Sequence, residues 1–456
     1  MGADHLRYDE ETATRTLDRR SLDMVRSSWS APALLIDATL PEAPLLEPVM
    51  GHRVEVKADI TARWSPHVKV RQILSAPVTA RKLGIIETDE ETDSEAPGAP
   101  KRVITDLLRL TRLRAALVWP RIVVVIAPMR LIERLKDIGL PENVETAHFG
   151  AVAGIDRWAS AAGLICVGRL QPGPGTVEPL AGIVTGTVPH AIPPNPKGGG
   201  RWYPRIGGAI RLADGRGARV ERGQHPDSMV EALRWQITEG GLIQAIGRLR
   251  ALRRGPDAPA FLDIVNDVPL PISVDATETW DEAKPGAWAE MAPEGVLLTS
   301  ATDIMACFPE AGATHKAARE MSLPTFALTS IIKSSIDVGA NVRRASYKRL
   351  GRFAPAAALL LPTAPADLKS WLSDRLGAIE WVRIEEPEAP KEAAPQPAPA
   401  TAPRWPRCAD LAPDLAAAYR LVVDVPAPAP KPHVPVIPEI VRWWPPEFAV
   451  FREAAE

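Results

Sequence analysis

Cysteine is scarce. The 456 residues hold three, Cys166, Cys307 and Cys408, far apart and in no CxxC pair. That excludes a disulfide framework and suits a reducing, cytoplasmic setting. Long apolar runs are missing too. None approaches the roughly 20 residues that span a bilayer, so no membrane partner is expected. The opening stretch MGADHLRYDEETATR is charged and has no apolar segment of a secretory signal. Neither sign of charge dominates: 54 Lys and Arg face 56 Asp and Glu, for a formal net charge of -2. A nucleic-acid site must therefore be a local patch. No carboxylates and histidines cluster at metal-ligand spacing, which disfavours a metal site and a metal-dependent nuclease.

Proline is what the chain has in excess, at 47 residues. It is densest in EEPEAPKEAAPQPAPATAPRWPR and in VPAPAPKPHVPVIP, which read as extended, polyproline-like segments around one short helix. Residues 387–456 are thus expected to form a largely disordered tail. Acidic residues 87–95 with the turn-rich 96–100, and the segment PPNPKGGG at 193–200, read as loops. The hydrophobic fraction of 46% and charged fraction of 24% elsewhere suit folded domains.

Between these breaks, strand and helix patterns alternate. Residues 33–36 (ALLI), 54–59 and Val68–Leu74 read as strands, the first of them buried. Residues 104–117 carry apolar positions at helical spacing, with Arg109, Arg112 and Arg114 outside. IVVVIA at 122–127 is β-branched and uninterrupted, as in a central parallel strand. A helix at 131–138 is closed by Gly139. LICV at 164–167 is a buried strand, and Asp214-Gly215 marks a hairpin within 210–220. Residues 229–252 form a long helix or helix pair, and 261–265 another strand. The alternation predicts an α/β fold with a parallel sheet and right-handed crossovers, with its chemistry at the carboxyl ends of the strands.

Several short motifs punctuate these elements. Asp37-Ala38-Thr39 follows the first strand. Ala127-Pro128 follows the second buried one. His148-Phe149-Gly150-Ala151 leads to Gly154-Ile155-Asp156, and LICV runs into Gly168-Arg169 with Pro172 beyond. Gln244-Ala245-Ile246-Gly247-Arg248-Leu249-Arg250 lies on a helix, with Arg253 and Arg254 one turn on. In this order the motifs resemble the second half of a superfamily-2-type helicase: an S/D-A-T segment, the opening strand of the second RecA-like domain, an R-G-x-D motif and a Q-x-x-G-R-x-x-R motif. The run HFGAVAGIDRWASAAGLICVGRLQP with the later QAIGRLR is similar to helicase-like replication proteins of phages and plasmids. The resemblance covers roughly residues 30–275.

That resemblance implies a P-loop NTPase-type second domain binding ATP and Mg²⁺ jointly with a first domain. Arg248 and Arg250 would be arginine fingers, and Gln244 would contact phosphates or the neighbouring domain. Asp156 would couple nucleotide to nucleic acid, with Gly154 and Gly247 lining the nucleotide site. The departures are specific. Ala153 stands where many helicases have arginine, and Arg250 falls one position short of the usual second arginine, which is Ala251 here. Asp156 and Gln244 are 88 positions apart, which implies an insertion. No G-x-x-x-x-G-K-[ST] occurs in the chain, no D-E-x-[HD] strand precedes Asp37, and about 30 residues come before the first motif. ATP hydrolysis is therefore expected only with an upstream P-loop-containing domain or subunit. Arg248 and Arg250 lie about 200° apart on a regular helix, so serving one cleft requires a bend. The plainer alternatives are that the arginines form a solvated helix face, that Asp37 and Thr39 satisfy backbone groups at a strand end, that Asp156 caps a helix, that His148 is structural and that Cys166 is core packing.

Residues 300–386 read as a separate small α+β unit. Helices at 314–321 and 325–336, the latter carrying Lys333, Ser334 and Ser335, precede Arg343, Arg344, Tyr347, Lys348, Arg349 and Arg352 and then AAALLL. Helix, helix and basic hairpin is a winged-helix-like layout. Its cations are expected to bind DNA phosphates, with Tyr347 stacking on a base. Trp371 and Trp381 are assigned to core packing. The expected organisation is 1–119, the end of a first helicase domain; 120–299, a second RecA-like domain with an insertion at about 173–228; 300–386, the winged-helix-like domain; and 387–456, the tail. The rival expectations are a non-hydrolysing DNA-binding replication initiator or accessory protein, and a partner-binding protein acting through the tail.

Overall fold

A computed structural model of the chain describes residues 2–9, 14–25, 34–59, 64–84, 102–194 and 200–385. The Pro-rich tail, the acidic loop and most of the PPNPKGGG loop lie outside the described residues.

An antiparallel ribbon of β1 (Gly2–Asp9) and β2 (Thr14–Ser21) comes first, then helix α1 (Ala43–Met50). Next are β3 (Val68–Leu74), α2 (Ala80–Leu83), α3 (Arg102–Val118), β4 (Val123–Ala127), α4 (Met129–Ile138), β5 (Val144–His148) and β6 (Gly163–Val167). Between β6 and the next strand of the main sheet come α5 (Pro174–Thr185), the hairpin β7 (Arg205–Leu212) and β8 (Gly217–Gly223), α6 (Ser228–Trp235) and α7 (Gly241–Gly247). The chain then forms β9 (Ala260–Val265), β10 (Ser273–Val274), β11 (Ala276–Thr279), α8 (Trp280–Ala283) and β12 (Val296–Leu298). It continues as α9 (Ala301–Cys307), α10 (His315–Met321), α11 (Thr325–Asp337), β13 (Arg343–Arg349), β14 (Ala356–Leu360), α12 (Leu368–Leu376) and β15 (Ile379–Ile384).

The fold is α/β around a six-stranded sheet, in the order β11-β3-β9-β6-β4-β5, with every pairing parallel. Its central strands β4, β6 and β9 are buried throughout, as the uninterrupted apolar sequences of β4 and β6 require, with β9 interrupted only by Asp263. The edge strand β5 is half-buried along its length. Alternate residues feed two cores. Val123, Val125 and Ala127 of β4 pack with α3 and α4, while Val124 and Ile126 pack with Trp158 and with Leu242 and Ile246 of α7. Helix α4 stops at Gly139, whose φ of 107° an L side chain rarely adopts. The β7–β8 hairpin turns at Gly215 (φ 87°), with the Asp214 carboxylate accepting from Arg216 N at 2.9 Å.

Two expected strands are absent. Leu34, Leu35 and Ile36 are exposed and unpaired, and residues 54–59 form no strand. A short apolar run becomes a strand only where a neighbour offers backbone partners. Position 33 lies outside the described residues.

A second correction concerns α3. Arg114 is not outside: it is buried and donates to both oxygens of Asp263, at 2.8 and 3.1 Å. Asp263 shares the α3 side of β9 with Phe261 and Val265, and Arg71 of β3 binds it as well, at 2.9 and 3.1 Å. Burial alone would push the Asp263 carboxyl up. The charges and hydrogen bonds of Arg114 and Arg71 outweigh it and hold the group below the ordinary carboxylate range. Arg109 and Arg112 are half-buried on Glu290.

Beyond β11, β12-β14-β13-β15 form an antiparallel four-stranded sheet. One core runs without a break from α3 and α4 to Leu359, Tyr347 and Leu372 of this part.

Candidate functional site

The motif residues meet around α7. Asp227 caps α6, its carboxylate accepting from Met229 N and Val230 N. A π-helical turn (Gln236–Gly240) then joins α6 to α7, and such turns recur at functional sites. Gln236 Nε2 donates to the Thr39 carbonyl at 2.8 Å, and Gln244 Nε2 donates to Thr39 Oγ1 at 3.0 Å. Thr39 is buried, and its N–H and hydroxyl donate to Asp37 Oδ1 at 2.6 and 2.9 Å. The Asp37–Thr39 segment and the QAIGRLR helix, 205 residues apart at this contact, thus form one hydrogen-bonded unit.

The far end of α7 holds the arginines. Arg248 Nη1 donates to the Ile155 carbonyl at 3.2 Å, and Arg250 Nε donates to Asp156 Oδ1 at 2.7 Å. The required bend is present. The α-helix ends at Gly247, and Arg250 takes φ 53°, left-handed backbone that costs a non-glycine residue about 1–2 kcal/mol. That reversal turns both arginines onto adjacent residues of one loop. On the loop side, Gly154 supplies the turn, with φ 73°. Gly247 has no such constraint, and a side chain there would meet nothing within 4 Å.

Arg248 is half-buried and its Nε has no hydrogen-bond partner. Burial, then neighbouring Arg250, lower its pKa, with Asp156 opposing. A guanidinium so placed remains charged at neutral pH and retains donor capacity for an anion.

This contact is not at the carboxyl ends of the strands, as the sequence implied. Trp158, buried beside Asp156, donates from Nε1 to Glu145 near the start of β5 at 2.6 Å. Arg254 donates to the Ala161 carbonyl just ahead of β6 at 2.7 Å. The arginine end therefore lies toward the amino ends, because the 149–162 loop crosses the sheet before β6 begins. His148 does end β5, with Nδ1 3.1 Å from the Phe149 carbonyl. Burial pushes the Cys166 thiol up to about 12, which keeps it a neutral core group. Gln236 went unremarked in the sequence, although Gln236, Gln244 and Arg248 recur at multiples of four.

The basic segment at 343–352 requires correction. Tyr347 is fully buried and its hydroxyl donates to Asp303 Oδ2 at 2.7 Å, so it cannot stack on a base. Arg349 donates to Asp303 Oδ1 at 2.8 Å and to the Leu376 carbonyl at 3.0 Å, and Lys348 pairs with Glu380 at 2.9 Å. The acids come from outside the segment, which is why its local sequence looked uncompensated. Arg343 is half-buried with an unpartnered Nε, while Arg344 and Arg352 are exposed. Ser335 of α11 is buried on the Ile332 carbonyl, whereas Lys333 is exposed. Trp371 is buried as expected, and Trp381 only partly so. Tyr347→Phe should cost about 1–3 kcal/mol by stripping one donor from buried Asp303, and leave DNA binding unchanged. Urea unfolding and a binding titration on one preparation check both.

A cleft of about 310 Å³ beside Arg109, Glu290, Glu320 and Met321 lies on the α3 side of the sheet, opposite α7. Among the described residues no three His, Cys, Asp or Glu side chains are placed to hold a metal ion, and no helix is long and apolar enough to cross a membrane. Comparison with protein-family models, curated proteins and solved structures finds no match.

Proposed function

We propose that the chain supplies the second RecA-like half of a superfamily-2-type, helicase-like replication protein of phage or plasmid origin, coupling ATP hydrolysis to DNA unwinding once a P-loop-bearing domain or subunit joins it. One observation carries the reading. Three segments selected by motif order alone are hydrogen-bonded to one another: Gln244 on α7 to Thr39, and Arg248 and Arg250 just past its end to Ile155 and Asp156. Motifs that matched by chance have no reason to touch.

In this reading the partner supplies the phosphate-cradling loop and the Mg²⁺ ligands. Arg248 and Arg250 then offset charge developing on the transferred phosphoryl group. Gln244, tied to Thr39, reports the state of the arginine helix to the preceding segment. The exchange of Asp156 for a phosphate oxygen on Arg250 would couple nucleotide to the 149–162 loop. The order α10, α11, β13–β14, with β12 pairing to the return strand β14, supports a winged-helix-like DNA-binding unit. Within its basic segment at 343–352, Arg344 and Arg352 are the exposed cations, and Lys333 of α11 is exposed as well.

The test is hydrolysis against binding. The purified chain should bind DNA and turn over no ATP, and turnover should appear on adding a P-loop partner. Turnover by the chain alone contradicts the proposal. A second reading, a DNA-binding initiator or accessory protein without hydrolysis, is favoured by one feature: both arginines are already engaged within the chain. It predicts that Arg248→Ala is silent in every assay.

A further inference from the structure

The insertion carries a basic surface that none of the motifs covers. In the β7–β8 register, Arg205, Gly207, Ala209 and Arg211 share one face with Gly223, Glu221, Arg219 and Gly217. The opposite face is anchored: Ile210 and Val220 are buried in the core that also holds α7. The hairpin is therefore a fixed platform with its Arg205–Arg219 side turned to solvent. Arg205 is 77% exposed and pairs with Glu221 at 3.2 Å. Arg211 and Arg219 are exposed, and among the described residues neither has an ion-pair partner. They stand diagonally across the strand pair, since Arg219 faces Ala209 and Arg211 faces Gly217. Such neighbours lie about 7–8 Å apart, close to the separation of successive phosphates along one strand.

Opposite Arg219 and Arg211 stand only Ala209 and Gly217, so this end of the face is nearly flat, while Glu221 stands opposite Gly207 and turns to Arg205. Gly207 is not glycine for the sake of the fold. Its backbone is not left-handed, and a Cβ there would meet nothing within 4 Å. The missing side chain leaves room for a ligand to lie on the backbone itself.

We propose that this face of the insertion hairpin binds the phosphate backbone of single-stranded nucleic acid, with Arg211 and Arg219 each engaging a phosphate. The inference rests on the nucleic-acid part of the proposed function and is independent of its nucleotide part. Glu221 is taken up by Arg205, so the charge of Arg211 and Arg219 is left uncompensated. With only Ala209 and Gly217 opposite them, this end of the face favours a polyanion over a protein partner, which would require an apolar centre. The contacts are to phosphate, so binding should be indifferent to sequence and steeply salt-dependent.

The experiment uses the full chain and fluorescein-labelled oligothymidylate, read by anisotropy across a salt series. Arg211→Ala with Arg219→Ala should raise Kd about tenfold or more at low salt and flatten the log–log salt slope by about 1.4, the share of two single-strand phosphates. Gly207→Glu should weaken binding similarly, and Gly207→Ala should not. An unchanged melting temperature in each variant separates these losses from unfolding. The inference is overturned if the double variant keeps the wild-type Kd and slope. Loss confined to Arg344→Glu with Arg352→Glu also overturns it, while leaving DNA binding by the chain intact. Failure of the unmodified chain to bind oligothymidylate at low salt sinks this inference, and ATP hydrolysis with a P-loop partner then decides the nucleotide reading separately.

Discussion

Asp263→Asn should destabilise the protein by about 3–5 kcal/mol, the usual cost of removing one partner from a buried ion pair. Asp263 is 1% exposed and accepts from two guanidinium groups, Arg114 on α3 and Arg71 on β3. Without its charge, Arg114 keeps a buried positive charge close to a second one. Arg71 fares better because Glu278 also binds it, at 2.7 Å. Adding Arg114→Met should therefore recover part of the loss. The sign with pH follows from the direction of the shift. A carboxyl held below its unfolded value of about 3.9 contributes its full stability above that pH and loses it as pH falls through the lower, folded value. The wild-type urea midpoint should thus fall steeply below about pH 4, and that of Asp263→Asn should be flatter there. A loss under about 1 kcal/mol at neutral pH would mean the triad is not the brace between α3 and the sheet.

Arg248→Ala should reduce kcat for ATP about a thousandfold in the chain paired with a P-loop partner, within the range of arginine-finger losses. KM should move little, because the charge being matched develops only in the transition state. The fold should tolerate the change, since the half-buried Arg248 side chain is held by a hydrogen bond to the Ile155 carbonyl and no ion pair among the described residues. Arg250→Ala should cost less: its side chain is 41% exposed and its partner Asp156 67% exposed, so its place is set less firmly. Equal turnover by Arg248→Ala and wild type would remove the finger assignment and leave the non-hydrolysing reading.

The elements best read from sequence are those with one possible environment. VVVIA and LICV tolerate no polar face, so their places as central strands followed directly. Gly139 and Asp214-Gly215 announce backbone conformations and were equally legible. What failed depended on distant partners. Leu34, Leu35 and Ile36 have the composition of a strand but pair with none among the described residues. Arg114 looks like surface charge until Asp263, 149 residues on, is placed beside it. Tyr347 and Arg349 looked like ligands for DNA because their acid, Asp303, lies more than 40 residues earlier. Within the candidate site, motif order indicated which segments to watch. The left-handed turn at Arg250 was not legible, because nothing in LRALRR demands it.

The most direct measurement is steady-state ATP hydrolysis by the purified chain, alone and titrated with a P-loop-bearing partner domain in the presence of Mg²⁺ and single-stranded DNA. Neither component alone should turn over ATP, and the rate of the pair should saturate at equimolar partner and fall about a thousandfold with Arg248→Ala. Hydrolysis by the chain alone, or none at any ratio with a partner that demonstrably binds it, would contradict the account.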